Sequence, residues 1–225
     1  MMMMMAVSSV NQDEILKKKR NEKKETILTV LSILSAGVLL ISNLCATKIF
    51  SLGGIPFDGG IILFPLSYIV ADLLMEIFHK KTADLVALAS FGLSALAAGA
   101  FYVVGILPPY PGWDGQEAYQ TILGFAPRVM VGSLAAYLAS VLVNNLIFAK
   151  IRQAQNDNSH FYVRALGSSV FSHLIDAVVF EMIAFYGVLP LKDFVTQAVF
   201  AYATGLILEI VLFPITALVA KLAKK

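Results

Sequence analysis

Six stretches of this 225-residue chain are long and apolar enough to cross a bilayer: 27–50, 60–78, 83–107, 124–149, 165–189 and 194–220. A spanning helix needs about 20 mostly apolar residues. The separators are short and rich in turn formers: GGIPFDGG at 53–60, HKKTAD at 79–84, PPYPGWDGQEAY at 108–119, RQAQNDNSH at 152–160 and PLKD at 190–193. No soluble domain fits between them. The period-two alternation of a membrane barrel is absent. The expected fold class is therefore all-α, a polytopic membrane protein with six transmembrane helices. A polar tail over 1–26 precedes a single six-helix domain over 27–225.

Composition supports that reading. Hydrophobic residues make up 58% of the chain and charged residues 14%, against about 25% charged in ordinary soluble domains. A single core in so short a chain cannot hide that much apolar surface from water. A soluble enzyme, a nucleic-acid-binding domain and a disordered chain are all excluded. The lone Cys45 cannot form an internal disulfide. The apolar run after the tail is too long for a signal peptide, so it reads as a retained first span.

Lysine and arginine set the orientation. With a cytoplasmic tail, fourteen of the seventeen basic residues fall inside: six in the tail, then Lys80, Lys81, Lys150, Arg152, Arg164, Lys221, Lys224 and Lys225. Only Lys192 falls outside. Trp113, Tyr110 and Tyr119 read as interface aromatics, and both termini are expected in the cytoplasm.

Lys48 and Arg128 are left within the spans, with Asp72, Glu76, Asp176, Glu181 and Glu209, and with His173, Asn43, Asn144 and Asn145. A charge at the bilayer centre costs roughly 2.5–3.5 kcal/mol even on the lenient insertion scale. Such groups face a protein interior or a water-filled path. Snorkelling at a helix end accommodates Lys48, Arg128 and Glu76, but not Asp72 and Asp176, which lie near mid-span. For those two, buried fastening of helices and a functional role compete.

Two spans carry polar stripes. In the second, Pro65, Tyr68, Asp72, Glu76 and His79 fall within about 80° of one another at 100° per residue. In the fifth, Ser169, Ser172, His173, Asp176 and Phe180 share a face roughly 100° wide. A hydrolase triad is a poor reading, because three neighbours on one helix project in parallel. Neither a G-x-S-x-G nor an H-E-x-x-H run occurs. A metal site lacks recognisable third and fourth ligands for His173 and Asp176, so neither an enzyme nor a cofactor is called for. In the first span, Asn43 and Lys48 lie about 140° apart and can share a site only if the helix unwinds near 45–47. Glu209 has no polar neighbour on its own helix, and no role follows for it or for Glu181. Spans two and five both place a serine before a mid-span aspartate and a glutamate after it. Spans one and four both pair asparagine with a lysine near the end. This is the pattern of an inverted three-plus-three repeat, a common transporter plan.

The runs SNLCATK (42–48), FPLSYIVADLLMEIF (64–78), Arg128 and SSVFSHLIDAVVFEMIAFYG (168–187) resemble the queuosine precursor transporter family (VUT type). The resemblance covers nearly all of 30–220, and its most specific part is P-x-x-Y-x-x-x-D-x-x-x-E from Pro65 to Glu76. It implies a prokaryotic plasma (inner) membrane protein that imports 7-deazaguanine bases such as preQ0, preQ1 or queuine for queuosine salvage into tRNA. Its partners would be that small molecule and the lipid bilayer, with no nucleic acid directly. With the polar stripes, it gives the candidate substrate-binding residues Asn43, Lys48, Tyr68, Asp72, Glu76, Arg128, Ser169, His173, Asp176 and Phe180. Asp72 and Asp176 would hold the base edge or an amine, Asn43 and Arg128 would support them, and Tyr68, Phe180 or Phe185 would stack on the ring. Three positions depart from the family: His79 and His173 stand where glycine and glutamine are usual, and Gly205 where lysine is common. An alternative function is a substrate-capture subunit of an energy-coupling-factor-like importer. No G-x-x-x-x-G-K-[ST] run occurs, so this polypeptide does not hydrolyse ATP by that route.

Overall fold

The computed structural model describes residues 2–154 and 161–223, and it is almost wholly helical. In chain order the elements are α1 (Met2–Cys45), β1 (Ile49–Leu52), β2 (Ile55–Asp58), a 3₁₀ helix (Gly59–Leu63), α2 (Phe64–Ile106), α3 (Gln116–Ile122), α4 (Ala126–Ala154), α5 (Phe161–Ala184) and α6 (Leu191–Ala223). Among the described residues, four helical stretches are long and apolar enough to cross a membrane: Lys17–Cys45, Pro65–Ile106, Gln116–Asn144 and Leu191–Leu212. Their outward faces are apolar, as at Ile33, Leu96, Ile207 and Ile210, which suits lipid rather than water. Residues 155–160 of the fourth expected separator lie outside the described part.

The second of these stretches is a double length. At 1.5 Å per residue the 43 residues of α2 would reach about 65 Å, twice the ~30 Å hydrocarbon core. The helix breaks at His79, with φ 67 and ψ 163. That backbone region is essentially glycine's alone and costs another residue about 1–3 kcal/mol. The expected loop over 79–84 is therefore a one-residue break. Helix resumes at once, and Lys80 pairs with Asp84 at 3.5 Å one turn on. An apolar cluster of Leu31, Val70, Leu73, Leu74 and Val86 ties α1 to α2 on both sides of His79.

The first expected span is also corrected. It ends at Cys45 rather than residue 50, and the fold is not purely helical. Thr47 caps the helix end by donating from Oγ1 to the Leu44 carbonyl at 2.7 Å. The chain then enters an antiparallel hairpin pairing Ile49 with Asp58 and Phe50 with Phe57. Its two-residue turn is Gly53–Gly54, with φ 61 and 84, the left-handed geometry that a tight hairpin turn demands. Phe50 stacks on Phe57, and Phe57 meets Phe200 of α6 edge-on at 6.1 Å.

The hairpin returns tightly onto α1. The Gly59 amide donates to the Lys48 carbonyl at 2.8 Å, and a Cβ at Gly59 would collide with the Cys45 carbonyl. The Ser42 hydroxyl donates to the Gly60 carbonyl at 3.2 Å. On the other side, α4 and α5 approach closely where Gly132 faces the backbone of Phe180 and Ala184. A second apolar cluster, Ala46, Val129, Ala184, Phe185 and Phe194, joins α1, α4, the α5 end and α6.

Candidate substrate-binding site

Where the end of α1 meets the hairpin, α2, α4 and α5, a cavity of about 240 Å³ opens. Ser42 and Asn43 come from α1, Asp58 from β2, Ser67 and Tyr68 from α2, Ser133 and Tyr137 from α4, and Asp176 and Phe180 from α5. Its volume lies just below the ~300 Å³ at which pockets for drug-sized ligands begin, a scale suited to one flat heterocycle. Asn43 is 4% exposed, and its Nδ2 has no hydrogen-bond partner among the described residues. A buried donor left unmet costs about 1–3 kcal/mol, so this amide is set up to bond whatever fills the space.

Asp176 is part-buried. The Ser140 hydroxyl of α4 stands beside it, and His173, one turn earlier, acts on its charge. The Tyr68 hydroxyl lies within electrostatic reach of Asp176, Glu209 and Asp72. The Tyr68 ring meets the His173 ring edge-on at 5.7 Å. His173 Nε2 lies 2.9 Å from Glu209 Oε2, so Glu209 finds on α5 the partner that its own helix does not supply. Gly205 of α6 leaves room for this arrangement. A Cβ there would stand 3.2 Å from the Tyr68 hydroxyl and 3.5 Å from His173 Nδ1.

Asp58 adds a second carboxylate to the wall. The hairpin holds it by a local turn in which Gly60 N–H donates to Asp58 Oδ1 at 2.8 Å. Burial pushes its carboxyl up to about 6, against the opposing pull of the backbone N–H groups of Gly60, Asp58 and Ile61.

Of the ten residues named from sequence, Asn43, Tyr68, Asp176 and Phe180 line this cavity. His173 lies behind Tyr68. Asp72 is part-buried one turn beyond Tyr68, and Glu76 is exposed a further turn on. Lys48 is exposed in the turn after α1, where its backbone bonds Cys45 and Gly59. Arg128 does not reach the cavity wall. Its Nε donates to the Ile183 carbonyl at 2.7 Å and its Nη2 to the Tyr186 carbonyl at 2.6 Å. A cation placed there meets the unpaired carbonyls and negative dipole end of α5. The side chains of Ser169 and Asn145 lie outside those described.

Sequence reading missed Asp58, which it placed in a turn, and Tyr137, an aromatic in mid-span with no polar stripe around it. The Gly-Gly pair between IFSL and IPFD is the signal that would have exposed the hairpin, and with it Asp58.

Residues 58–219, well over half of the chain, match the family described as "Putative vitamin uptake transporter". The chain is 28% identical over 172 residues to the "Probable queuosine precursor transporter" of Bacillus subtilis (strain 168), covering 74% of each. A protein of the same printed name from Haemophilus influenzae is 28% identical over 127 residues, 56% of this chain and 51% of that one. The "Queuosine precursor transporter" of Escherichia coli (strain K12) is 24% identical over 156 residues, 69% of this chain and 67% of that one. No solved structure matches the chain. Apolar helices of spanning length and a family match of this extent lead to one conclusion: the chain is a membrane protein that belongs to the "putative vitamin uptake transporter" family.

Proposed function

We propose that this protein imports a queuosine precursor, a 7-deazaguanine base of the preQ0, preQ1 or queuine type, across a prokaryotic plasma (inner) membrane. The observation that carries the reading is the cavity walled by Asn43, Tyr68, Asp176 and Phe180. A deazaguanine offers adjacent N–H donors that suit a carboxylate and a carbonyl oxygen that suits an amide donor. Asp176 supplies the first and the unmet Asn43 Nδ2 the second. The flat ring suits the aromatic faces of Tyr68 and Phe180. A precursor carrying an amine cation would have Asp58 as its second carboxylate, while Asp72 acts on the site through Tyr68.

The reading uses six spans. They are α1 from about residue 27, α2 before His79, α2 after it, α4, α5 and α6. Both termini then lie in the cytoplasm, the hairpin faces outward, and the two halves form an inverted repeat around the cavity. The polar tail and one transport domain complete the chain.

The test is uptake of labelled precursor by cells lacking both precursor synthesis and their own carrier. Wild-type protein should restore uptake, and Asp176→Asn at equal membrane level should abolish it. Wild-type uptake by Asp176→Asn and Asn43→Leu together would overturn the site. Restoration only when an ATPase coupling module is supplied would favour the capture-subunit alternative.

A further inference from the structure

Beside the cavity stands a pair that the substrate reading leaves unused. His173 of α5 meets Glu209 of α6, Nε2 to Oε2, at 2.9 Å. The two side chains are 18% and 32% exposed, so the pair is only partly enclosed. On its other side the His173 ring meets the Tyr68 ring edge-on at 5.7 Å, and Tyr68 lines the cavity. Asp176, also in the cavity wall, follows His173 by three residues, which makes the two neighbours on one helix face. The imidazole thus stands between a carboxylate in the cavity and one on another helix. Gly205 keeps this corner open, with the Tyr68 hydroxyl and His173 Nδ1 at 3.2 and 3.5 Å from where a side chain there would begin. The titratable groups around His173 are therefore Glu209 from α6, Tyr68 from α2 and Asp176 on its own helix. Asp72 acts on the corner through Tyr68, and α4 offers Tyr137 on the cavity wall.

The chemistry of the corner follows from which group can carry a proton while solute is bound. A base that presents N–H donors needs Asp176 as a bare carboxylate. A phenol ordinarily keeps its proton until about pH 10. Imidazole is the side chain that ordinarily gains and loses its proton between about pH 5 and 8. With a proton added, His173 donates Nε2–H to Glu209 and sets a positive charge one turn from Asp176. With the proton withdrawn, both carboxylates lose a positive neighbour, which is costly within a membrane. The protonated ring therefore favours the bare Asp176 that the solute needs. By linkage, bound solute favours the protonated ring in turn.

We propose that His173, paired with Glu209, carries one proton inward with each solute molecule, so that import is proton-coupled. The proton joins the free ring nitrogen from the outer solution. Both nitrogens hold hydrogen while solute is bound, and the added proton leaves to the inner solution after release. The inference rests on the transport reading and names what drives it.

The test uses purified full-length protein in liposomes with the membrane potential clamped at zero, labelled preQ0 outside and a pH-sensitive dye inside. Addition of preQ0 to the wild type should acidify the interior. One pH unit of acid outside should raise accumulation up to about tenfold, the equivalent of one proton per solute. In His173→Gln any uptake should stop at equal concentrations and leave the interior pH unchanged. Nitrogen NMR of histidine-labelled protein in detergent, with the His173 signals assigned by their loss in His173→Gln, needs no transport. It should show the ring changing charge between about pH 5 and 8. One charge state throughout that range would overturn the proposal, as would undiminished acidification in His173→Gln. Wild-type uptake without acidification would defeat this inference alone. Absence of uptake for every deazaguanine base would defeat the transport reading and this inference with it.

Discussion

The cavity and the Glu181–Gln197 group are built from the same chemistry and reach opposite results. Each combines a carboxylate with a buried amide that has one unmet polar atom. Around the cavity, Asn43 Nδ2, Asp176 and the rings of Tyr68 and Phe180 stand around empty volume. In the other group, Gln197 presses against Glu181 and leaves an oxygen, not a donor, unmet. A donor and an acid around a space suit a molecule with both acceptors and N–H groups. Where the donor is already bonded to the acid, the pair fastens two helices instead. What the helices leave between side chains decides whether the same residue types can take a ligand.

The largest effect should separate the two directly. Asp176→Asn removes the charge at the cavity, and losing a buried charged contact costs about 2–5 kcal/mol. Precursor uptake should fall at least tenfold while the unfolding midpoint in detergent stays near that of the wild type. A parallel loss of both would make Asp176 a fastening group rather than a binding one.

Arg128→Leu comes next. Its two charge-assisted bonds hold the carbonyls of Ile183 and Tyr186, just beyond Glu181. At roughly 1.5–3 kcal/mol each before solvent exposure is discounted, their loss should lower unfolding free energy by about 3 kcal/mol. Thermal melts in detergent measure it.

Asp58 gives a pH test. Its carboxyl is raised from 3.8 to about 6, so the folded chain keeps a proton that the unfolded chain releases between those values. Stability is full below about pH 4 and is lost as pH rises through 6, by at most about 3 kcal/mol. Asp58→Asn should make that fall shallower by Asp58's share, which the difference between wild-type and variant pH-dependent melts measures. A fall of unchanged depth in Asp58→Asn would assign the titration to another group.

The smallest effect lies away from both regions. His79→Gly relieves a backbone conformation that only glycine adopts freely and should stabilise the protein by about 1–2 kcal/mol. Uptake should be unchanged, which makes it the control for general effects of stability.

Much of the helical layout was legible because a bilayer imposes a length and an apolar surface that can be counted along one dimension. The polar stripes were legible for the same reason, since helical geometry fixes which neighbours share a face. Span ends were less so. Lys48 read as intramembrane because the run up to residue 50 is apolar, yet two glycines turned that run into a hairpin. The separator at 79–84 read as a loop from its charges, yet Lys80 and Asp84 continue a helix as an i, i+4 pair.

Sequence by itself determined a helical membrane chain, its family motifs and the polar faces of two helices. Only the tertiary structure decided that Glu209 meets His173, that Arg128 serves a helix end, and that Asp58 stands between the cavity and the Glu181–Gln197 group. The reason is physical. Length and periodicity are properties of one helix in lipid, whereas the partner of a buried polar group is set by a neighbouring helix from any part of the chain.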